Sequence, residues 1–232
     1  MKGMKRKIRC GGKPVTVIVL AGGRGSRMGA DKAGLPLPGG TLLERVLGQV
    51  EPLFDEVLVS VSPGQTIWAE DKRAGSALSA GARVVEDELP GQGPMAGVLA
   101  GLRAARNEVC AVVACDIPDI DAPLLRKLVR AAAEAEIVVP VTPKGDFEPL
   151  FAVYRNAVIL EIEKLLRAGQ RSLIPLFGRA RTARLRLGGA NGIRNLNTRG
   201  DYESYLQSLS LGTKSKRVIS GGRTGRRRGT GR

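Results

Sequence analysis

The chain has 232 residues, of which 43% are hydrophobic, 25% charged and only 3% aromatic, a composition typical of a globular domain and poor in nucleic-acid stacking surface. It contains no histidine, which excludes Ser-His-Asp and Cys-His catalysis and any zinc site held by histidine. The net charge of +15 belongs to the two ends, because residues 14–212 hold 23 basic against 22 acidic residues.

The basic ends are predicted to lie outside the folded body. Residues 1–13 carry six basic and no acidic residues and are expected to form a basic flexible leader, with translation starting at Met1 or Met4. Residues 213–232 are rich in Gly and Arg, so we expect a disordered basic tail. With three unspaced cysteines and no apolar run of 18 residues, a cytoplasmic protein without a membrane segment is expected.

Short apolar runs alternate with helical patterns through residues 14–212. In chain order the sequence predicts a strand at Val15–Leu20, a helix at Thr41–Val50, strands at Val57–Val61 and Arg83–Glu86, a helix at Ala96–Asn107, a strand at Cys110–Ala114, a helix opened by Asp121, strands at Ile137–Val141 and Glu148–Tyr154, and helices at Asn156–Arg167 and Gly200–Leu209. This alternation indicates right-handed βαβ units. We therefore predict one Rossmann-like α/β domain with a mainly parallel sheet flanked by helices.

The end of the first predicted strand is rich in glycine. Residues 20–32 read Leu-Ala-Gly-Gly-Arg-Gly-Ser-Arg-Met-Gly-Ala-Asp-Lys, so that backbone N–H groups can approach an anion without hindrance from a Cβ atom. Arg24, Arg27 and Lys32 add positive charge, which favours a polyphosphate cradle. The spacing fits neither a P-loop nor a complete dinucleotide fingerprint, where Met28 takes the place of the third glycine. A plain glycine turn with solvated arginines remains the alternative.

Two other strand ends carry acids. Asp116 leaves a buried strand, where a carboxylate can hold Mg²⁺ that bridges phosphate oxygens, although Asp116 and Pro118 could equally build a turn. Asp87 follows another strand and precedes a flexible glycine-rich loop, which by itself is a weak signal. Because ligands bind beyond the carboxyl ends of strands in such sheets, all three segments point to one edge.

Taken together, these residues resemble the molybdenum cofactor guanylyltransferases. The opening signature is the glycine-rich segment through Ala33, and later motifs follow in the family's order: Gly93-Pro-Met-Ala-Gly97, Cys115-Asp-Ile-Pro118, Glu148-Pro-Leu-Phe-Ala-Val-Tyr154 and Asn195-Leu-Asn-Thr198. The resemblance covers about residues 15–207. The chain departs from the family's pattern at Ile117 and Asp119, where a Met and an aromatic residue are more frequent.

The resemblance implies a nucleotidyltransferase that moves GMP from GTP to the phosphate of molybdenum-bearing molybdopterin, releasing pyrophosphate with the help of Mg²⁺. It implies a catalytic set of Lys32, Arg27 and Asp116, with Asp116 as the metal ligand. The nucleotide-binding residues that it implies are Leu20, Ala21, Gly22, Gly23, Arg24, Gly25, Lys32, Asp87, Gly97 and Asp116, with Asp87 facing guanine. On the molybdopterin side it implies Arg171, Ser172, Asn195 and Asn197.

Four alternatives stay open. A cytidylyltransferase of the same fold would read Ala-Ala-Gly where this chain has Ala21-Gly22-Gly23, and the extra glycine leaves room for a purine. Another acceptor, such as a sugar phosphate or a cobamide precursor, is the second alternative. The third is nucleic-acid binding through the basic ends, which the absence of tail aromatics disfavours. The fourth is a non-catalytic carrier of the cofactor. If the chain is instead the enzyme, the resemblance implies transient contacts with molybdopterin-inserting proteins and apo-molybdoenzymes.

Overall fold

A computed structural model describes residues 6–22, 32–65, 81–89, 91–188 and 193–220, with the side chains of the last stretch described as far as Leu211. Its elements are β1 (Arg9–Cys10), β2 (Lys13–Pro14), β3 (Thr16–Leu20), β4 (Pro36–Leu37), β5 (Gly40–Thr41), α1 (Leu42–Val50), β6 (Glu56–Val61), β7 (Ala82–Glu86), α2 (Pro94–Ala104), β8 (Val109–Ala114), α3 (Ala122–Ala131), β9 (Ile137–Val141), β10 (Phe151–Arg155), α4 (Ile159–Arg167), β11 (Thr182–Arg186) and α5 (Arg199–Ser220). Short 3-10 helices cover Lys32–Gly34, Asn156–Val158 and Ile174–Gly178. None of the described helices combines the length and apolarity needed to cross a membrane.

A seven-stranded sheet forms the centre of the described structure, in the order β11-β9-β10-β8-β3-β6-β7. Strand β10 is antiparallel to both of its neighbours, and the other adjacent pairs are parallel. Strands β3 and β8 are buried along their whole length, which explains why their sequences are continuous apolar runs. The predicted α/β class with a mainly parallel sheet is confirmed.

Helices cover both faces of the sheet. Helices α1 and α3 pack on one face and α2 and α4 on the other, which gives two apolar layers. Helix α1 starts where its sequence predicts, because Thr41 and Glu44 form a reciprocal capping box. Helix α3 starts after Asp121, whose side chain accepts a hydrogen bond from the Leu124 N–H, as predicted.

Helix α2 lies unusually close to the central strand. A Cβ atom at Gly101 would stand 2.6 Å from Cγ2 of Ile18, a side chain that is fully buried. Gly97, one turn earlier, faces Ser60 and Leu20, so the helix approaches the sheet on a glycine stripe. This close approach brings the start of α2 to the carboxyl ends of β3 and β6.

The prediction of a flexible leader is wrong for residues 6–13. Strands β1 and β2 form an antiparallel hairpin, and Gly11 and Gly12 both take positive φ values in its turn, as two-residue hairpin turns favour. Ile8 is 1% exposed, and its N–H donates to the Leu53 carbonyl at 2.7 Å. Two apolar side chains, Ile8 and Cys10, therefore attach this basic segment to the core; residues 1–5 lie outside the described residues.

The two other differences concern the C-terminal part. Helix α5 is described to Ser220, beyond the predicted helix end at Leu209 and the predicted domain boundary at 212, and no proline interrupts the helix there. The disorder of the basic tail stays a prediction, and 221–232 lie outside the described residues. Strand β11 was not predicted, because Ala183 and Leu185 alternate with exposed arginines in an edge strand instead of forming an apolar run.

We expect Gly101→Ala to lower the free energy of unfolding by about 1–3 kcal/mol, because the added methyl group must displace the Ile18 side chain in a closed core. Gly48→Ala in α1 is the matched control, since nothing lies within 4 Å of its Cβ position. The control should gain about 0.5–1 kcal/mol through helix propensity. Chemical denaturation of both variants measures the difference, and equal effects at the two glycines would contradict the close approach.

Candidate functional site

A cleft of about 740 Å³ opens at the carboxyl ends of β3, β6 and β8. This edge is where ligands bind in open α/β sheets, and the volume suits a nucleotide-sized ligand. The cleft is lined by Leu20, Ala21, Gly22, Lys32, Ser60, Val61, Ser62, Pro63, Asp87, Gly91, Gly93, Pro94, Gly97, Ala114, Cys115, Asp116 and Leu150. Seven of the predicted site residues are therefore on this list: Leu20, Ala21, Gly22, Lys32, Asp87, Gly97 and Asp116.

Lys32 and Asp116 form an ion pair in the cleft. The Lys32 Nζ lies 2.8 Å from Oδ2 of Asp116, and it also donates to Oδ1 of Asn197 at 3.3 Å. The side chains of Lys32 and Asp116 are 22% and 19% exposed, so the pair is partly shielded from water and still open to a ligand. The structure thus brings together three of the predicted residues that are distant in sequence.

Backbone hydrogen bonds fix the place of Asp116. The Cys115 N–H donates to the Leu20 carbonyl at 3.0 Å, which joins the residue after β8 to the end of β3. The Ile117 N–H then donates to the Ala114 carbonyl at 3.2 Å, and Ile117 itself is 1% exposed. Asp116 is therefore held at the edge of the sheet between two anchored neighbours.

The donor set at this point fits a magnesium ion. Asp116 offers a carboxylate, Asn197 an amide oxygen, and Mg²⁺ prefers oxygen ligands. Within the described ranges no group of three or more His, Cys, Asp or Glu side chains could form a metal site from protein ligands alone. One carboxylate and one amide oxygen suit Mg²⁺ in particular, since the ion commonly uses one or two carboxylates and completes its shell with phosphate oxygens and water.

Asp87 lies on the β7 side of the cleft and is only 9% exposed. Its N–H donates to the Val61 carbonyl at 2.9 Å, and its Oδ1 accepts the Leu89 N–H at 2.8 Å. Burial raises the pKa of Asp87, the charge of Glu88 adds to the rise, and the Leu89 hydrogen bond opposes it. A desolvated carboxylate of this kind gains from a ligand that donates hydrogen bonds to it.

The glycine at position 22 is required by the protein itself. A Cβ atom there would stand 2.9 Å from the Ser62 nitrogen and 3.1 Å from the Val61 carbonyl carbon, both in the backbone at the end of β6. The Gly22 N–H also donates to the Ser60 carbonyl at 3.0 Å. The missing side chain allows two chain segments to meet, so the inference from Gly22 to space for a purine is not supported.

The four residues predicted on the acceptor side take different places. Asn197 contacts Lys32, and Asn195 hydrogen-bonds Glu148. The backbone of Arg171 lies directly against Gly93 at the cleft, which puts this exposed arginine near the rim. Ser172 Oγ accepts the Ile174 N–H at 3.3 Å and thus stabilises its own turn.

Other predicted residues cannot be placed, and some site residues were missed. Gly23, Arg24, Gly25 and Arg27 lie outside the described residues and stay predictions. The cleft residues that sequence reasoning gave no role include Ser60, Ser62, Pro63 and Leu150. The available signal was the pair of serines at the end of an apolar strand.

Glu148 was also left without a role, although it stands in a quoted motif. Burial raises the pKa of the Glu148 carboxyl, and the negative charges of Asp146 and Asp116 add to the rise, while the Asn195 hydrogen bond opposes it. A second acid therefore lies close enough to feel the charge of Asp116. Its signal in the sequence was an acid immediately before a predicted strand.

Comparison with known proteins gives a consistent family. Residues 17–183 match the model of the MobA-like NTP transferase domain. The chain is 30% identical over 204 residues to a probable molybdenum cofactor guanylyltransferase of Carboxydothermus hydrogenoformans, covering 85% of this chain and 98% of that protein. It is 36% identical over 163 residues to the molybdenum cofactor guanylyltransferase of Pseudomonas putida, covering 69% and 80%.

A solved structure extends the comparison to the fold. Molybdopterin-guanine dinucleotide biosynthesis protein A of Archaeoglobus fulgidus superimposes with a TM-score of 0.68 at 26% identity, over 84% of this chain and 99% of that one. The similarity therefore extends from the sequence to the fold over most of the chain.

We expect Asp87→Asn to raise the free energy of unfolding at pH 7, because the folded state disfavours the charged carboxylate at this position. Because the pKa of Asp87 is raised in the folded state, the gain in the free energy of unfolding should be complete above this folded-state pKa. The gain should fade as the pH falls to about 4, the ordinary pKa of Asp in an unfolded chain, because Asp87 then becomes protonated in both states. Asp55→Asn is the control, since Asp55 pairs with Arg9 at 3.1 Å and its loss should not stabilise. Denaturant titrations between pH 4 and pH 7 test the sign.

Proposed function

This chain belongs to the MobA-like NTP transferase family, among the molybdenum cofactor guanylyltransferases, and we propose that it transfers GMP from GTP to the phosphate of molybdenum-bearing molybdopterin. The products are the guanine dinucleotide cofactor and pyrophosphate. The observation that carries the proposal is the meeting of Lys32, Asp116 and Asn197 in a nucleotide-sized cleft. We also propose a cytoplasmic location, in keeping with three buried free cysteines.

The proposed reaction does not require a general base from the protein. The attacking group is a phosphate monoester whose second pKa is near 6, so it is largely ionised at neutral pH. A chain without histidine can therefore catalyse this attack on the α-phosphorus of GTP. What the protein must supply is alignment of the two phosphates and stabilisation of the negative charge between them.

Lys32 and Asp116 supply that charge control. Asp116 would hold Mg²⁺, which when bound contributes charge neutralisation at the phosphate oxygens. The Lys32 ammonium, now paired with Asp116 at 2.8 Å, is close enough to transfer its contact to a phosphate of the nucleotide. Leu20, Ala21 and Gly22 line the same part of the cleft. Because the N–H groups of Ala21 and Gly22 donate to the Ser60 carbonyl, the amides proposed to bind phosphate are those of residues 23–25.

Asp87 supports guanine as the base. A carboxylate can accept two hydrogen bonds, from N1–H and N2–H of guanine, and cytosine does not present this pair of donors. The burial of Asp87 favours such a partner, because a desolvated carboxylate gains most from charge-assisted hydrogen bonds. With Gly22 assigned to chain packing, the guanine preference depends on Asp87 and not on a glycine.

The acceptor would approach from the side of Asn195, Asn197 and Arg171. Asn197 touches Lys32, so an acceptor phosphate bound there would stand next to the cation that also serves the nucleotide. The exposed Arg171 at the rim offers a guanidinium for an anionic pterin. Arg27 and the glycines at 23 and 25 complete the proposed phosphate cradle, and transient contact with molybdopterin-inserting proteins remains part of the proposal.

Titration calorimetry of GTP, CTP and ATP in the presence of Mg²⁺ tests the nucleotide. We expect GTP to bind at least about tenfold more tightly than CTP, since one lost charge-assisted pair of hydrogen bonds costs at least about 1.4 kcal/mol. In the Asp87→Ala variant this preference should disappear. A preference for CTP would keep the fold and transfer the function to cytidylyl transfer, and an unchanged GTP preference in the variant would place base recognition elsewhere.

Two variants separate the metal from the phosphate contact. Asp116→Ala should lower kcat by about 10³-fold or more with the fold retained, because the metal would lose its carboxylate. Lys32→Ala should mainly raise the Kd for GTP, and Lys164→Ala, which removes an exposed lysine paired with Glu161, is the matched control. Molybdopterin-dependent release of pyrophosphate from GTP measures kcat, and titration calorimetry of GTP measures the Kd. Mg²⁺-dependent turnover by Asp116→Ala at the wild-type rate would refute the metal role.

A further inference from the structure

The turn that carries Asp116 is held from outside the cleft. After Asp116 the chain runs through Pro118 and Asp119 to the start of α3, and side chains of α1 bind this turn. Arg45 Nε and Gln49 Nε2 both donate to the Pro118 carbonyl, at 3.1 and 2.7 Å. The Ile120 N–H in turn donates to Gln49 Oε1 at 3.0 Å. Helix α1 thus satisfies the backbone groups on both sides of Asp119.

The Asp119 carboxylate joins α1 to α5. Its Oδ1 accepts hydrogen bonds from the Arg45 guanidinium at 2.7 Å and from the Tyr205 hydroxyl at 2.8 Å. Tyr205 is 1% exposed, and its ring makes cation–π contacts with Arg45 and Arg194, whose guanidinium carbons are 5.4 and 5.0 Å from the ring centroid. Burial together with the neighbouring Asp119 raises the pKa of Tyr205 to about 12, so the hydroxyl remains a donor at neutral pH.

The segment immediately before α5 makes a second connection to the site. The Leu196 N–H donates to the Asp116 carbonyl at 2.9 Å, and the next residue, Asn197, accepts from Lys32. Asp201 fixes this segment at the start of α5, because its Oδ2 accepts the N–H groups of Asn197 and Thr198 at 3.1 and 2.8 Å. A shift of α5 would therefore move Asn197 and the Asp116 backbone together.

We propose that Arg45, Asp119 and Tyr205 are positioning residues that set the Asp116 carboxylate against Lys32 and Asn197. This proposal rests on the proposed function, in which Asp116 holds the metal. The cluster lies outside the cleft lining, so it acts through Asp116 and does not touch substrate. Because the side chains of Asp119 and Arg45 are 54% and 33% exposed, their ion pair adds little to the free energy of unfolding. Its main effect is on the position of the turn that carries Asp116.

Asp119→Ala and Asp119→Asn test the proposal as a pair. The Ala variant loses both acceptor bonds, and we expect about tenfold lower kcat with the KM for GTP within about twofold of wild type, since displacement of a catalytic group by about 1 Å can cost about 10²-fold. We expect Mn²⁺ to bind the protein–GTP complex about fivefold more weakly, measured by electron paramagnetic resonance. The Asn variant keeps a side chain of the same shape with one oxygen acceptor, so its kcat and its Mn²⁺ affinity should lie within about twofold of wild type.

Glu203→Ala is the matched control, because it removes an exposed carboxylate of α5 that pairs with Arg199 far out on the surface. The control should keep wild-type kcat, Mn²⁺ affinity and melting temperature. If Asp119→Ala matches this control in kcat and in Mn²⁺ affinity while wild type is active, the positioning role is overturned and the proposed function stands. If Asp119→Ala does not fold, Tyr205→Phe, which removes a single donor, decides the question in the same assays. Wild type that forms no product would instead refute the proposed function.

Discussion

The site depends on the common register of three neighbouring strands. Leu20 of β3 is paired with Ser60 of β6 on one side and with Ala114 of β8 on the other, so the three strands reach the same level of the sheet. The residues that follow therefore lie at one edge of the sheet, and they include Gly22, Ser62 and Asp116. The close approach of α2 through Gly101 supports this arrangement, because it holds the helix start against the same edge.

The charges in the cleft form a set that a ligand must rearrange. The side chains of Lys32 and Asp116 are about one fifth exposed, so water only partly screens their ion pair. A ligand can therefore still reach the pair and replace either partner. A divalent cation at Asp116 would repel the Lys32 ammonium, and a polyphosphate would attract it. Metal and nucleotide are therefore expected to favour the same rearrangement, which couples their binding.

Sequence patterns predicted the fold because the relevant signals are local, whereas most of the candidate site residues came from the family resemblance and stay predictions in their roles. Buried strands appear as apolar runs, and Thr41 and Asp121 cap helices through their own side chains. The arrangement of Lys32, Asp116 and Asn197 could not be derived in this way, since 84 and 165 residues separate Lys32 from its two partners. The sequence did not predict strand β11 or the hairpin at 9–14, because their few apolar residues stand next to charged residues and form no apolar run.

The nucleotide side and the acceptor side of the proposed site are built differently, and this difference bears on specificity. The proposed nucleotide side is formed by strand ends and by closely packed backbone, since an added methyl group at Gly22 would stand 2.9 Å from the Ser62 nitrogen. The proposed acceptor side comes from later, irregular segments around Glu148, Arg171 and Asn195, outside the parallel strands. A rigid nucleotide half can be shared throughout a fold, whereas loops can change without disturbing the core. We therefore expect the choice of acceptor to depend on these loop residues, which lie next to the proposed nucleotide side at Lys32 and Asp116.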